Sequence, residues 1–395
     1  MINKLNQLSI SQKTSLYVVL FLFLRTLNIT INETIHLSAS VALIVKLILI
    51  LSFGLIDIFL FFQLKKSDKI HFVITELIAF LLLLLTSVRY PSIGISVFSS
   101  YGWIIISFIP IIISILHTDL DTLYNYLHGT SYFITLLCTL IYFFHIRNLS
   151  TNLVFSYTLL LPFLIHINEF IKKKNILIFI LILFESYMLL TYGSRGTLVC
   201  AVLFVVFLIL KKIGLKNLKY FIGICLIIFS IYEIMYFTGV FDSIYQYYLE
   251  EGRYIRILDL ISKGEFFSNN GRFEIYHNYF GYILEKPFLG WGIGADIYIG
   301  IFPHNLLIEL IFNFGIILGT ILIIIMIILI AKLLLNNNHS LFLILFCSGI
   351  LPLFFSFSYL EWMNFWIFIG YILLSNKKYI SDSIQKMINL DLVRI

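Results

Sequence analysis

The chain has 395 residues, of which 60% are hydrophobic, 17% aromatic and only 12% charged, with a net charge of +6 and a mean hydropathy of +1.00. A soluble domain carries about 25% charged residues and a disordered segment is poor in aromatics, so both classes are excluded. The basic surplus lies in small clusters between apolar runs, where it orients helices in a bilayer and binds no nucleic acid.

In chain order, apolar runs fit for spanning helices lie at 15–31, 39–62, 70–88, 102–116, 126–145, 153–170, 175–192, 196–210, 218–238, 304–332, 340–358 and 361–375. They predict an all-α polytopic membrane bundle of about twelve transmembrane helices, a single integral membrane domain over 1–395. Unbroken runs such as Ile316–Ile330 exclude a β-barrel, whose strands alternate. Lys4 and Lys13 precede the first run, but Arg25 interrupts it and no small-residue cleavage site follows, so it reads as an uncleaved first span. Lys46, Asp57, Glu76 and Glu185 lie within runs, where each must face the bundle interior or snorkel, and together they imply a polar interior in the bundle. The four cysteines, Cys138, Cys200, Cys225 and Cys347, sit in apolar stretches without paired spacing and read as small core residues.

An N-terminus in the cytoplasm puts Lys65, Lys66 and Lys69, Lys172, Lys173 and Lys174, Lys211, Lys212, Lys216 and Lys219, Lys332, and finally Lys377, Lys378, Lys386 and Arg394 inside, as the positive-inside rule requires. The stretch His117–Asp121 has no Lys or Arg and is the exception. The one long connection, 239–303, then lies outside. In it Asp242, Glu250, Glu251, Asp259, Glu265, Glu274, Glu285 and Asp296 outnumber Arg253, Arg256, Lys263, Arg272 and Lys286. A loop of this length without a disordered composition is usually functional, and it contains an amphipathic helix at Phe273–Leu284.

Three places on that outer face carry polar residues that a spanning bundle does not need. Thr191-Tyr-Gly-Ser-Arg-Gly-Thr197 is a short turn whose glycines flank the pair Ser194 and Arg195; it suits an anion such as a phosphate, or else Arg195 snorkels to headgroups. Asn269-Asn270-Gly271-Arg272 opens the amphipathic helix, so Arg272 can direct its fork at a diphosphate beside a helix N-terminus, or else pair with Glu265 or Glu274. Pro287-Phe-Leu-Gly290-Trp-Gly292-Ile-Gly294 lacks the βαβ setting of a nucleotide loop. It leads to His304 and Asn305, where the histidine is either a general base or a hydrogen-bonding residue at a helix start.

The order Ser-Arg-Gly between two spans, Asn-Gly-Arg, Pro-x-x-Gly-x-Gly-x-Gly, then His-Asn-x-x-x-Glu with Gly315 in the next helix resembles the O-antigen ligase and polymerase superfamily, over Tyr192 to Gly319. The resemblance implies transfer of a glycan from an undecaprenyl pyrophosphate carrier to an acceptor hydroxyl outside the bacterial cytoplasmic membrane, with no cofactor, nucleotide sugar or metal. The family's two loop arginines map to Arg195 and Arg272, and its histidine to His304. Ser194, Gly196, Gly292, Asn305 and Glu309 would line the substrate site, with His277 as a secondary contact that also competes with His304 as the base; Arg89, at the outer end of the third span, either snorkels to the interface or adds a further phosphate contact. The expected partners are lipid-linked oligosaccharide donor and acceptor, the bilayer, a chain-length regulator and a flippase. A polysaccharide polymerase is the leading expectation, with a ligase to a lipid acceptor, a lipid-linked oligosaccharide flippase, or a metal-dependent enzyme using Asp119 and Asp121 as rivals.

Overall fold

The computed structural model describes residues 8–34, 39–102, 108–145, 153–213, 230, 232–266, 268, 271–336 and 340–376. Lys4, Lys216, Lys219, Cys225, Asn269, Asn270, Lys377, Lys378, Lys386, Arg394 and part of the run 218–238 lie outside the described residues. Helices take up most of the apolar runs as far as these are described, and no strand occurs among the described residues. They are α1 Ile10–Thr34, α2 Ala39–Gln63, α3 Lys66–Arg89, α4 Gly94–Tyr101, α5 Ile109–Leu116, α6 Leu120–His145, α7 Leu153–Lys173, α8 Ile176–Tyr192 and α9 Arg195–Ile213. Then come α10 Val240–Glu250, α11 Arg256–Ser262, α12 Arg272–Glu285, α13 Asp296–Ile299 and α14 Leu306–Asn336, followed by α15 Ser340–Phe354 and α16 Met363–Asn376.

Among the described residues five helices, α1, α3, α6, α7 and α14, are long and apolar enough to cross a membrane; α8, α15, α16 and the end of α2 are shorter apolar helices. Their outward residues are apolar, for example Leu51, Leu55 and Phe62 on α2, Val73, Leu77 and Leu85 on α3, and Ile317, Ile321 and Ile328 on α14. Water penalises such a surface and lipid does not, while a helix satisfies its own backbone groups in hydrocarbon. The protein is an all-α polytopic membrane protein. Besides the loop helices α10, α11 and α13, α4 was not expected from the apolar runs; its Gly94 has no Cβ to hold it off Ser87 of α3, and it buries Val97 and Tyr101.

The chain divides into two compact units, Met1–Leu22 with Leu47–Tyr126 and Gly271–Ile395, and Phe23–Lys46 with Leu127–Asn270. The long loop is thereby split, α12 and α13 belonging to the first unit and α10 and α11 to the second.

In the second unit α7 packs along α8, and a buried polar network joins them to α6. His166 Nδ1 meets Glu185 Oε1 at 2.8 Å, both side chains fully buried. Ser131 Oγ lies 2.9 Å from His166 Nε2, and Thr135 Oγ1 donates to Glu185 Oε1 at 2.6 Å. At the charged end of α7, Glu169 pairs with Lys173 at 2.7 Å. In the loop half, Asp259 accepts from Tyr245 at 3.0 Å and Tyr254 at 2.9 Å and pairs with Lys263 at 2.8 Å. Burial alone would raise the Asp259 pKa, but these donors outweigh it and hold the carboxyl below its ordinary value.

In the first unit the feature that organises everything else is a break in α14. Gly315 there takes φ 79° and ψ 170°, outside any helix. A break strands backbone groups that must find new partners. The glycine loop after α12 supplies them: Ile316 N donates to Pro287 O at 2.7 Å, Trp291 N to Phe312 O at 2.8 Å and Gly292 N to Asn313 O at 3.0 Å. The approach is so close that a Cβ on Gly290 would lie 2.4 Å from Gly315 N, and one on Gly315 2.2 Å from Phe288 O. Around this junction Tyr90, Tyr279, Ile283, Trp291, Ala295 and Phe312 form a buried cluster that seats α12 on the start of α14.

Candidate functional site

Arg272 and His304 come from different elements of the first unit and meet on one short segment. Arg272 opens α12 directly after Gly271, which turns the chain with φ 75°. Its Nη2 donates to Phe355 O at 2.6 Å, and His304 Nδ1 lies 2.9 Å from the next carbonyl, Ser356 O. A carbonyl only accepts, so Nδ1 carries the proton and Nε2 keeps its lone pair. Burial lowers the His304 pKa and the Arg272 charge lowers it further, against the opposing pull of the Ser356 carbonyl. The ring is therefore neutral at physiological pH, in the tautomer that a base acting through Nε2 requires.

Local structure holds the histidine firmly. His304 is a non-glycine residue with φ 49°, a conformation that costs free energy and persists where surroundings over-determine it. Its ring packs on Phe302 at 4.1 Å between centroids. The next residue, Asn305, caps α14, its Oδ1 accepting from Leu307 N at 3.0 Å and Ile308 N at 3.4 Å.

The segment 355–359 that receives both side chains is itself pinned. Glu309, 1% exposed, accepts from Ser358 Oγ and from Tyr359 N at 3.4 Å. Asn313 Nδ2 donates to Tyr359 OH at 3.0 Å. Upstream, Phe346–Ile350 winds as a π-helix and Leu351–Phe354 as a 3₁₀ turn. Trp362 Nε1 then donates to Ser348 O at 2.8 Å, and its ring stacks on Phe357 at 4.5 Å. The apolar run 340–358 gave no sign of this bend beyond Pro352 and the serines after it, and π segments recur at functional sites.

Gly292 and Arg89 have neighbours of their own. A Cβ on Gly292, which has φ 99°, would meet Thr86 Oγ1 at 2.6 Å. Arg89 Nη1 donates to Gly290 O at 3.0 Å. Sequence reasoning missed Lys286, whose Nζ donates to Tyr90 OH at 2.7 Å and lies 3.6 Å over the Trp291 ring; Trp291 also stacks with Tyr90 and Tyr298. It missed as well Asp296 of α13, a buried acid that accepts from Tyr101 OH. Burial raises the Asp296 pKa to about 6, although the Tyr101 hydroxyl pulls the other way. His277 is exposed on α12.

Arg195 belongs to the second unit, where it opens α9. Its Nη1 donates to Glu265 O at 2.9 Å, to Phe266 O and to Ser268 O at 3.3 Å, binding the chain shortly before Arg272 in sequence. Ser194 is buried and caps α9, its Oγ accepting from Thr197 N at 3.3 Å and meeting Thr197 Oγ1 at 2.8 Å; Thr197 Oγ1 in turn reaches Ser156 Oγ at 3.0 Å. Gly196 is half-buried in the first turn of that helix. Gly193 is required for a different reason, since a Cβ there would lie 2.0 Å from Leu189 O.

Asp119, one of the paired acids, caps α6: its Oδ2 accepts from Thr122 N at 3.1 Å and Thr122 Oγ1 at 3.2 Å, while Asp121 is exposed. No group of three or more His, Cys, Asp or Glu is placed to hold a metal ion among the described residues.

No curated protein and no solved structure matches the chain. Residues 177–324, which hold Arg195, Arg272 and His304, match the O-antigen ligase family (Wzy_C), in agreement with the resemblance of the motifs to the O-antigen ligase and polymerase superfamily.

Proposed function

We propose that the protein is a polysaccharide polymerase that moves a growing glycan from one undecaprenyl pyrophosphate carrier to the sugar of the next lipid-linked repeat unit, on the extracytoplasmic face of a bacterial cytoplasmic membrane. The family match supports ligase- or polymerase-type glycosyl transfer in general. The observation that supports this chemistry, for a polymerase and a ligase alike, is that Arg272 and His304 bond the adjacent carbonyls of Phe355 and Ser356.

In this reaction the acceptor hydroxyl oxygen forms a bond to the anomeric carbon of the donor as the bond from that carbon to the pyrophosphate oxygen breaks. The hydroxyl proton passes to His304 Nε2, and undecaprenyl pyrophosphate leaves. A single in-line displacement inverts the anomeric configuration. Negative charge grows on the leaving pyrophosphate, and fixed guanidinium groups near a low-dielectric boundary stabilise it where other enzymes use a divalent ion. Arg272 has further N–H groups besides the one given to Phe355 O, and the α12 N-terminus adds partial positive charge. Arg195 is the second phosphate-binding arginine in this reading.

Arg195→Ala, Arg272→Ala and His304→Ala, each introduced into cells that make the polymer, are expected to abolish long chains on a glycan gel. Long chains persisting in all three variants would sink the proposal. A ligase reading has one observation in its favour, the description of the matched family. The two are separated by what accumulates in the variants: single repeat units for a polymerase, and full-length polymer still on its carrier for a ligase.

A further inference from the structure

The helix α12 has one face that the fold does not use. At about 100° per residue its surface divides into sectors. One, carrying Tyr279 and Ile283, is buried against Phe312 and Trp291. A second carries Glu274, Asn278 and Glu285, all exposed. The third carries Phe273, Phe280 and Leu284, which are 71%, 57% and 73% exposed, with the exposed His277 at its border with the second, and the chain continues past it into Phe288 and Leu289, 72% and 81% exposed. This last sector is large, apolar and open.

What lies against it is indicated by α14. From Leu306 to Gly315 no residue of α14 is exposed, whereas from Ile316 to Leu334 most are, and nearly all of these are apolar. At 1.5 Å per residue that second stretch is about 28 Å long, close to the roughly 30 Å of a bilayer's hydrocarbon core. Lys332 stands near its far end, where a charged head reaches the opposite surface. The exposed apolar surface of α14 therefore starts directly after Gly315. Ile316 N bonds to Pro287 O at 2.7 Å, so the start of the loop after α12 is held at that same level, with Phe288 and Leu289 beside the lipid-facing residues of α14. The open sector of α12 thus continues an apolar surface that already faces lipid.

We infer that α12 lies in the bilayer interface, with Phe273, Phe280, Leu284, Phe288 and Leu289 among the acyl chains of the leaflet on the loop's side and Glu274, Asn278 and Glu285 turned to water. A helix with an apolar stripe beside a charged stripe is the kind that beds about 5–10 Å into the headgroup boundary. Arg272, in its first turn, then sits at the depth of lipid phosphates. This placement is independent of which reaction the protein carries out.

The test uses the full chain with its own cysteines replaced, reconstituted in phosphatidylethanolamine and phosphatidylglycerol vesicles, with a nitroxide attached at Phe280→Cys, Leu284→Cys or Asn278→Cys. All three sites are exposed, so the label displaces no packed side chain. Collision with dissolved oxygen, which concentrates in lipid, is compared with collision with a water-soluble nickel complex. The ratio of oxygen to nickel accessibility is expected to be several-fold higher at 280 and 284 than at 278. Equal ratios at the three sites overturn the inference, as do labels at 280 and 284 that meet neither probe, since the face is then covered by protein. Glycan elongation is not part of the readout, so loss of the polymerase reading leaves this result standing.

Discussion

His304 owes its state to its neighbours. Its neutral tautomer follows from the Ser356 carbonyl, and its lowered pKa from burial and from Arg272. A base works only when unprotonated, so activity is expected to fall on the acid side, with a midpoint below the ordinary histidine value of about 6.5, and to be flat from there to neutral pH. Arg272→Gln removes one of the causes that lower the pKa and should move that midpoint up while it also weakens turnover. A pH profile of glycan elongation in membranes checks both; a midpoint unchanged by the substitution removes His304 as the titrating base. Position alone made His304 either a base or a hydrogen-bonding residue at a helix start, and the His-Asn motif of the resemblance favoured the base. His277 remained its rival, and the partner that distinguishes His304 comes from residues 355–356, more than fifty positions later in the chain.

The junction between the glycine loop and α14 is a statement about backbone, and glycine is required there for two reasons at once. Gly290 and Gly315 both have positive φ, and at each a Cβ would strike main-chain atoms that cannot rotate away. Gly290→Ala and Gly315→Ala should therefore each destabilise the protein by at least about 1–3 kcal/mol. Gly281, inside α12 with nothing within 4 Å of its missing Cβ, supplies the opposite sign: Gly281→Ala should stabilise by about 0.5–1 kcal/mol through helix propensity. Melting midpoints in detergent measure all three, and equal behaviour of Gly290→Ala and Gly281→Ala would refute the junction. The apolar run 304–332 located this helix but could not show its break, since hydropathy does not register φ and ψ. The repeated glycines were the visible trace, and the partner they pack on lay outside any local window.

Over the whole molecule the scarce charges divide between helix anchors, the long loop and a few positions buried within spans. Glu185 shows what the last kind demands: an acid in hydrocarbon needs partners, and His166, with Thr135, provides them. His166→Ala leaves that carboxyl without its imidazole and is expected to cost about 3–5 kcal/mol, whereas the double replacement His166→Leu with Glu185→Leu should recover much of the loss. Melting midpoints of the purified variants in detergent decide this, and a single variant as stable as the double one would show that the pair carries no such weight. A polar interior was legible from the sequence, because Lys46, Asp57, Glu76 and Glu185 interrupt apolar runs and each must face the interior or snorkel. Its histidine was not, because His166 lies within a run that reads as an ordinary span.

By itself the sequence determined the all-α membrane class, since length and hydropathy are properties of local windows and the bilayer is a solvent that acts on each window separately. It also singled out Arg195, Arg272 and His304, because a chain with so few charges gives meaning to those it keeps. Only the tertiary structure decided that Arg272 and His304 rest on the same two carbonyls, that α14 breaks at Gly315 and is mended by the glycine loop, and that α12 keeps an apolar face open at that level. Each of these depends on groups far apart in the chain, and hydrogen bonds and van der Waals contacts act over a few ångströms in space without regard to sequence distance.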